Sequence, residues 1–65
     1  MRIAQDHTAD GERHGWTKDD GRIWYWVVDD DGLRWREDGY PRDQDPDPPD
    51  EVREATETWV DHHLD

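Results

Sequence analysis

Apolar positions fall into two stretches of different period. Between residues 13 and 37 they are dense and aromatic: Trp16, then the run Ile23-Trp24-Tyr25-Trp26-Val27-Val28, then Leu33 and Trp35. From residue 50 onward they thin out and return at helical spacing, at Val52, Ala55 and Trp59. Two matching turns cut the first stretch, Asp19-Asp20-Gly21 and Asp30-Asp31-Gly32, eleven residues apart. Asp-Gly between β-prone runs marks a hairpin, because glycine accepts the positive φ that such turns need. Turns spaced by about 8–12 residues suit a meander. The pattern predicts strands near 13–18, 22–28 and 33–37, with the middle one apolar on both faces.

The register of the last two strands decides which face becomes core, since a slip of one residue exchanges the faces. If Asp30-Asp31 form a type I turn with Gly32 as a bulge, Asp29 pairs with Leu33 and Val27 with Trp35. The core face is then Ile23, Tyr25, Val27, Leu33 and Trp35, and Arg34 and Arg36 stack on Trp24 and Trp26. If Asp31-Gly32 is instead a two-residue loop, Val28 pairs with Trp35. The core becomes Trp24, Trp26, Val28, Leu33 and Trp35. The first register is favoured.

The second stretch opens on Pro48-Pro49 followed by Asp50-Glu51. Proline ahead of a first turn rich in acids is a helix start, because the carboxylates face the positive end of the dipole. A helix is predicted over 50–63. At about 100° per residue, Asp50, Glu54, Glu57, Asp61 and Asp65 fall within a stripe of about 80°. Val52, Ala55, Trp59 and His63 lie opposite, ready to cover the sheet. The expected fold class is α+β: a three-stranded antiparallel β-meander with one C-terminal helix packed on one face. Residues 1–12 are polar and lack periodicity, so they read as a loose arm, with Ile3 docked on the edge of the fold. Residues 13–65 form the single small domain, with an acidic, proline-rich linker at 41–49.

Composition narrows the function. The chain has 65 residues, no cysteine and a net charge of −11. One domain of this size sits near the lower limit for folding without disulfides or metals. Only 29% of residues are hydrophobic, but five are tryptophan, and each aromatic ring buries roughly 150–250 Å². A compact domain is therefore expected despite the charge. No segment is apolar and long enough for a signal peptide or a membrane span, which points to a cytoplasmic protein. Anionic lipid and nucleic acid repel this charge, so neither is an expected partner. Serine and cysteine are absent, which removes the commonest nucleophiles.

The candidate catalytic and metal chemistries are weak. His62 and His63 are adjacent on the predicted helix and diverge by about 100°, while His7 lies in the arm. Histidines near a helix C-terminus suit the dipole without any metal. Asp43, Asp45, Asp47 and Glu54 match four ligand positions of a calcium loop, but Pro48 stands where the sharp turn needs glycine. An acid–base enzyme needs carboxylates in a cleft with separated pKa values, and so small a domain has little material for a cleft. The expectation is a protein without catalytic activity, cofactor or metal.

Residues 15–41 resemble WW domains: Gly15-Trp16, then Gly21-Arg22 before Trp24-Tyr25, then Trp35 and Pro41. The resemblance implies a groove for proline-rich peptides made by Tyr25 and Trp35. The first loop is shorter than in that family, and Val27-Val28 replace its polar pair. An exposed aromatic face of Trp24, Tyr25, Trp26 and Trp35 is the corresponding alternative site.

The charge layout is the stronger functional feature. Residues 43–65 hold nine acids against Arg53 alone. Asp43, Asp45, Asp47, Asp50, Glu54, Glu57 and Asp61 would form an anionic track able to enter a cleft built for phosphates. In size, charge and lack of catalytic apparatus the chain resembles phage-encoded DNA-mimic inhibitors of the anti-restriction and anti-CRISPR type. That resemblance implies a basic nucleic-acid-binding protein or complex of a host defence system as partner, met in the host cytoplasm. The plainer reading is an acidic interaction domain from a salt-adapted or high-GC organism, whose charge keeps it soluble.

Overall fold

The computed structural model describes residues 1–37 and 47–63. They form four strands and one helix: β1 (Arg2–Ala9), β2 (Glu12–Asp19), β3 (Arg22–Asp29), β4 (Gly32–Trp35) and α1 (Asp50–His63). The strands make one antiparallel sheet in the order β1-β2-β3-β4, and α1 covers one face. The class is α+β with a C-terminal helix, as the sequence predicts. The sheet has four strands rather than three.

The extra strand is built from the residues read as an arm. Asp10-Gly11 closes β1 onto β2 as Asp20-Gly21 closes β2 onto β3. In both loops the aspartate and the glycine take positive φ, 54° and 79° in the first, 51° and 77° in the second. Positive φ at both central residues matches the right-handed twist of the flanking strands. β1 is polar because it is an edge strand: only Ile3 and Ala4 are half-buried. Its order comes from backbone pairing with β2, from Arg2 opposite Lys18 to Ala9 opposite Glu12, interrupted by an irregularity between Gln5 and His7.

The register of β3 and β4 matches neither sequence reading. Asp29 pairs with Gly32, Val28 with Leu33 and Trp26 with Trp35, so the loop is Asp30-Asp31. Gly32 takes the positive φ, and the Asp29 carboxylate accepts the Asp31 N–H at 2.9 Å, which holds the turn. Parity then places Trp24, Trp26, Val28, Leu33 and Trp35 on one face. This is the set of the less favoured reading, reached through different pairs. Ile23, Tyr25 and Val27 lie on the other face, so the favoured core face is overturned.

α1 lies over the tryptophan face. Trp24 and Trp26 are buried, as are Val27 on the opposite face and Val52 on the helix. Trp59 meets Trp26 with ring centroids 5.9 Å apart at a 55° tilt, the offset geometry aromatic pairs prefer. Val52 packs as the helical wheel predicts, while Ala55 and Trp59 are half-buried flanks of the contact. The fully buried helix residue that the wheel overlooks is Thr56. Its hydroxyl meets that of Thr17 at 2.6 Å, and Trp26 Nε1 donates to Thr17 Oγ1 at 3.2 Å. Thr17, Thr56 and Trp26 thus satisfy one another, as buried polar groups generally do, whereas the buried Trp24 Nε1 has no hydrogen-bond partner.

Candidate interaction surfaces

The outer face of α1 carries Asp50, Glu51, Glu54, Glu57 and Asp61, all exposed. Arg53 approaches Asp50 at 3.8 Å, but that carboxylate is 92% exposed, and exposed pairs of this kind contribute little. Among the described residues, Glu51, Glu54, Glu57 and Asp61 have no ion-pair partner. Asp47 precedes the helix and is exposed. Asp43, Asp45 and Asp65 lie outside the described residues.

The sheet treats its charges differently. Arg34 bridges Glu12 at 2.8 Å and Asp29 at 3.2 Å. The Asp31 N–H and, after it, the Arg34 guanidinium hold the Asp29 carboxyl below its ordinary range. Asp29, followed by Glu12, raises Arg34 above the usual guanidinium value. Arg2 sits over the Trp16 ring at 5.9 Å from its centroid, and Arg22 over Trp24 at 5.2 Å, within cation–π range. Three cations of the sheet are therefore engaged within it, while the acids of the helix are left to solvent.

The aromatic alternative has a different fate. Trp24 and Trp26 are 2% and 0% exposed, so they are core rather than surface. Tyr25 and Trp35 are half-buried, and register sets them on opposite faces of the sheet. They do not line a common groove of the WW kind.

The histidines form two stacks. His7 lies on His14 at 4.6 Å, nearly parallel, and His14 Nε2 stands 3.6 Å from Glu12. His63 stacks on Trp59 at 4.4 Å. The Nδ1 atoms of His62 and His63 lie 2.8 Å from the carbonyls of Thr58 and Trp59. As donors they cap the last turn of the helix, where carbonyls otherwise lack partners.

One feature of the surface was not predicted, because it depends on β1. A groove of about 540 Å³ runs between β1 and α1, lined by Ile3, Ala55, Thr58 and Trp59, with Glu51, Glu54, His62 and His63 also bordering it. The signal that points to β1 is Asp10-Gly11, the same dipeptide as Asp20-Gly21 one strand-length earlier. Among the described residues, no group of three or more acidic or histidine side chains is placed to hold a metal ion. No helix among them is long and apolar enough to cross a membrane. Compared with known protein families, curated proteins and solved structures, the chain matches none.

Proposed function

We propose that this domain is a non-catalytic binding protein that presents the outer face of α1 to a basic nucleic-acid-binding cleft and so blocks it. This is the action of a DNA-mimic inhibitor of the anti-restriction or anti-CRISPR type. The observation that carries the reading is the division of charge. Arg2, Arg22 and Arg34 of the sheet are occupied by sheet acids and indoles, whereas Glu54, Glu57 and Asp61 stand exposed and without an ion-pair partner among the described residues on one side of the helix. With a rise of about 1.5 Å per residue, Asp50, Glu54, Glu57 and Asp61 are spaced by about 4.5–6 Å along the axis. A nucleic-acid strand carries one charge per ~3.4 Å. The helix is a sparser track, but its carboxylates are held in line before binding. Preorganised charge of this kind speeds encounter and selects cationic clefts.

The test is competition between the domain and labelled DNA for DNA-binding proteins of defence complexes, at low and high salt. Reversing Glu54, Glu57 and Asp61 to lysine is expected to abolish competition while the fold survives, since all three are exposed and turned away from the core. Reversing Asp6, Asp30 and Glu37 applies the same charge change at exposed positions off the helix. Equal loss in both variants would mean that net charge alone acts, the behaviour of a domain that is merely acidic for solubility.

A further inference from the structure

We infer that the groove between β1 and α1 receives an extended segment of a basic protein, which adds to the free edge of β1 as a further strand. The inference rests on the reading of the domain as a binder of basic partners and adds where and in what form the contact is made. An apolar side chain of the segment enters the space lined by Ile3, Ala55 and Trp59, and its neighbouring lysines or arginines meet Glu51 and Glu54.

Four observations point this way. β1 ends the sheet order, and among the described residues nothing pairs with its outer edge. Such an edge offers a row of backbone donors and acceptors to an incoming strand. The irregularity at Gln5/His7 interrupts that row but leaves Arg2–Gln5 in unbroken register, and Ile3 in this stretch lines the groove. A strand added there would lie about 4.8 Å beyond β1, with alternate side chains directed to the helix side. The groove is shallow and open to solvent, with Ile3 as its β1 wall and Ala55, Thr58 and Trp59 on the helix side, so it can take an extended chain laid along it. Finally, Glu51 and Glu54 border it without an ion-pair partner among the described residues, so the lining selects an apolar segment flanked by cations.

Other occupants fit less well. A second copy paired through β1 would set two acidic helices side by side on one face of a continuous sheet, and each copy carries −11. Nucleic acid would bring phosphates against Glu51 and Glu54.

The test uses the full chain, labelled for NMR, and a short peptide alternating valine with lysine. A peptide alternating glycine with lysine provides equal charge without apolar side chains. The expected result is binding of the valine peptide in clear preference to the glycine peptide. It should slow hydrogen exchange at amides within Arg2–Gln5 and shift the signals of Ile3, Ala55 and the Trp59 indole. Thr58 is exposed and lines the groove, so Thr58→Trp and Thr58→Arg should fold and occlude it. Either should weaken binding by about ten- to a hundredfold, the worth of one buried aliphatic side chain. Asp30→Lys/Glu37→Lys, a charge reversal at exposed positions off the helix and outside the groove, should weaken it much less. Equal affinity for the two peptides, shifts centred on Glu57 and Asp61, or no binding of either peptide would each overturn the inference. The helix reversal, read on an intact DNA-binding protein, would then decide the wider reading separately.

Discussion

The indole of Trp26 occupies the space that a side chain at residue 15 would need. Gly15 is the cross-strand partner of Trp26, and a Cβ on it would overlap Cζ2 and Cη2 of the ring and stand 2.5 Å from the backbone oxygen of Ala4. The glycine is required here by close approach, not by its φ. It lets the largest core side chain lie across β2 and still reach Trp59 on the helix.

Gly15→Ala is therefore expected to destabilise the domain by about 1–3 kcal/mol, as overpacking of a dense core does. One side of the overlap is backbone, so the cost should fall at the upper end. Urea unfolding followed by tryptophan fluorescence measures it. An alanine variant as stable as the parent would show that the indole can move aside freely.

The Thr17–Thr56 link makes a second, asymmetric prediction. Thr17→Val strips both Trp26 Nε1 and the Thr56 hydroxyl of their partner, whereas Thr56→Val leaves Thr17 still accepting from Trp26. An orphaned buried polar group costs about 1–3 kcal/mol. Thr17→Val should thus be clearly the worse of the two. In the double variant, the Thr56 change should cost less than it does alone, because the hydroxyl it removes is already orphaned. Additive effects in a thermodynamic cycle would mean that the two hydroxyls do not act together.

Asp29 carries the pH prediction. Its carboxyl is held low in the folded state, first by the Asp31 N–H and then by Arg34. A depressed carboxyl favours the folded state above the ordinary aspartate range, and the benefit disappears as pH falls through the folded-state value. Asp29→Asn keeps the acceptor for Asp31 but loses the charge. The stability difference between parent and variant should be present near neutral pH and close as pH drops below the usual aspartate range. A difference that persists unchanged into strong acid would assign the effect to shape rather than charge.

Much of this architecture is readable locally. Helix bounds of 50–63 follow from Pro48-Pro49, Asp50 and Glu51, because helix starts are set by a handful of adjacent residues. Strands near 13–18 and 22–28 follow from Asp-Gly turns, whose backbone demands do not depend on the rest of the chain. The exposed acids of α1 follow from helical period alone.

Other features are decided by pairing across the sheet. Whether Trp26 or Tyr25 faces the helix turns on a single residue in the Asp29–Gly32 loop, and local sequence is compatible with more than one closure there. Thr56 looks polar on a wheel and becomes core only because Thr17 is there to meet it.

The sequence by itself determined where the turns at Asp20-Gly21 and Asp30-Asp31-Gly32 fall, though not how the second one closes, together with the helix and its acidic outer face, since each follows from neighbouring residues and fixed periods. Only the tertiary structure decided that residues 2–9 are a strand, which face of β3 is buried, and that a groove lies between β1 and α1. The physical reason is common to all three. An edge strand is ordered by the backbone of its partner rather than by its own side chains, and a sheet chooses its covered face through registers set between strands.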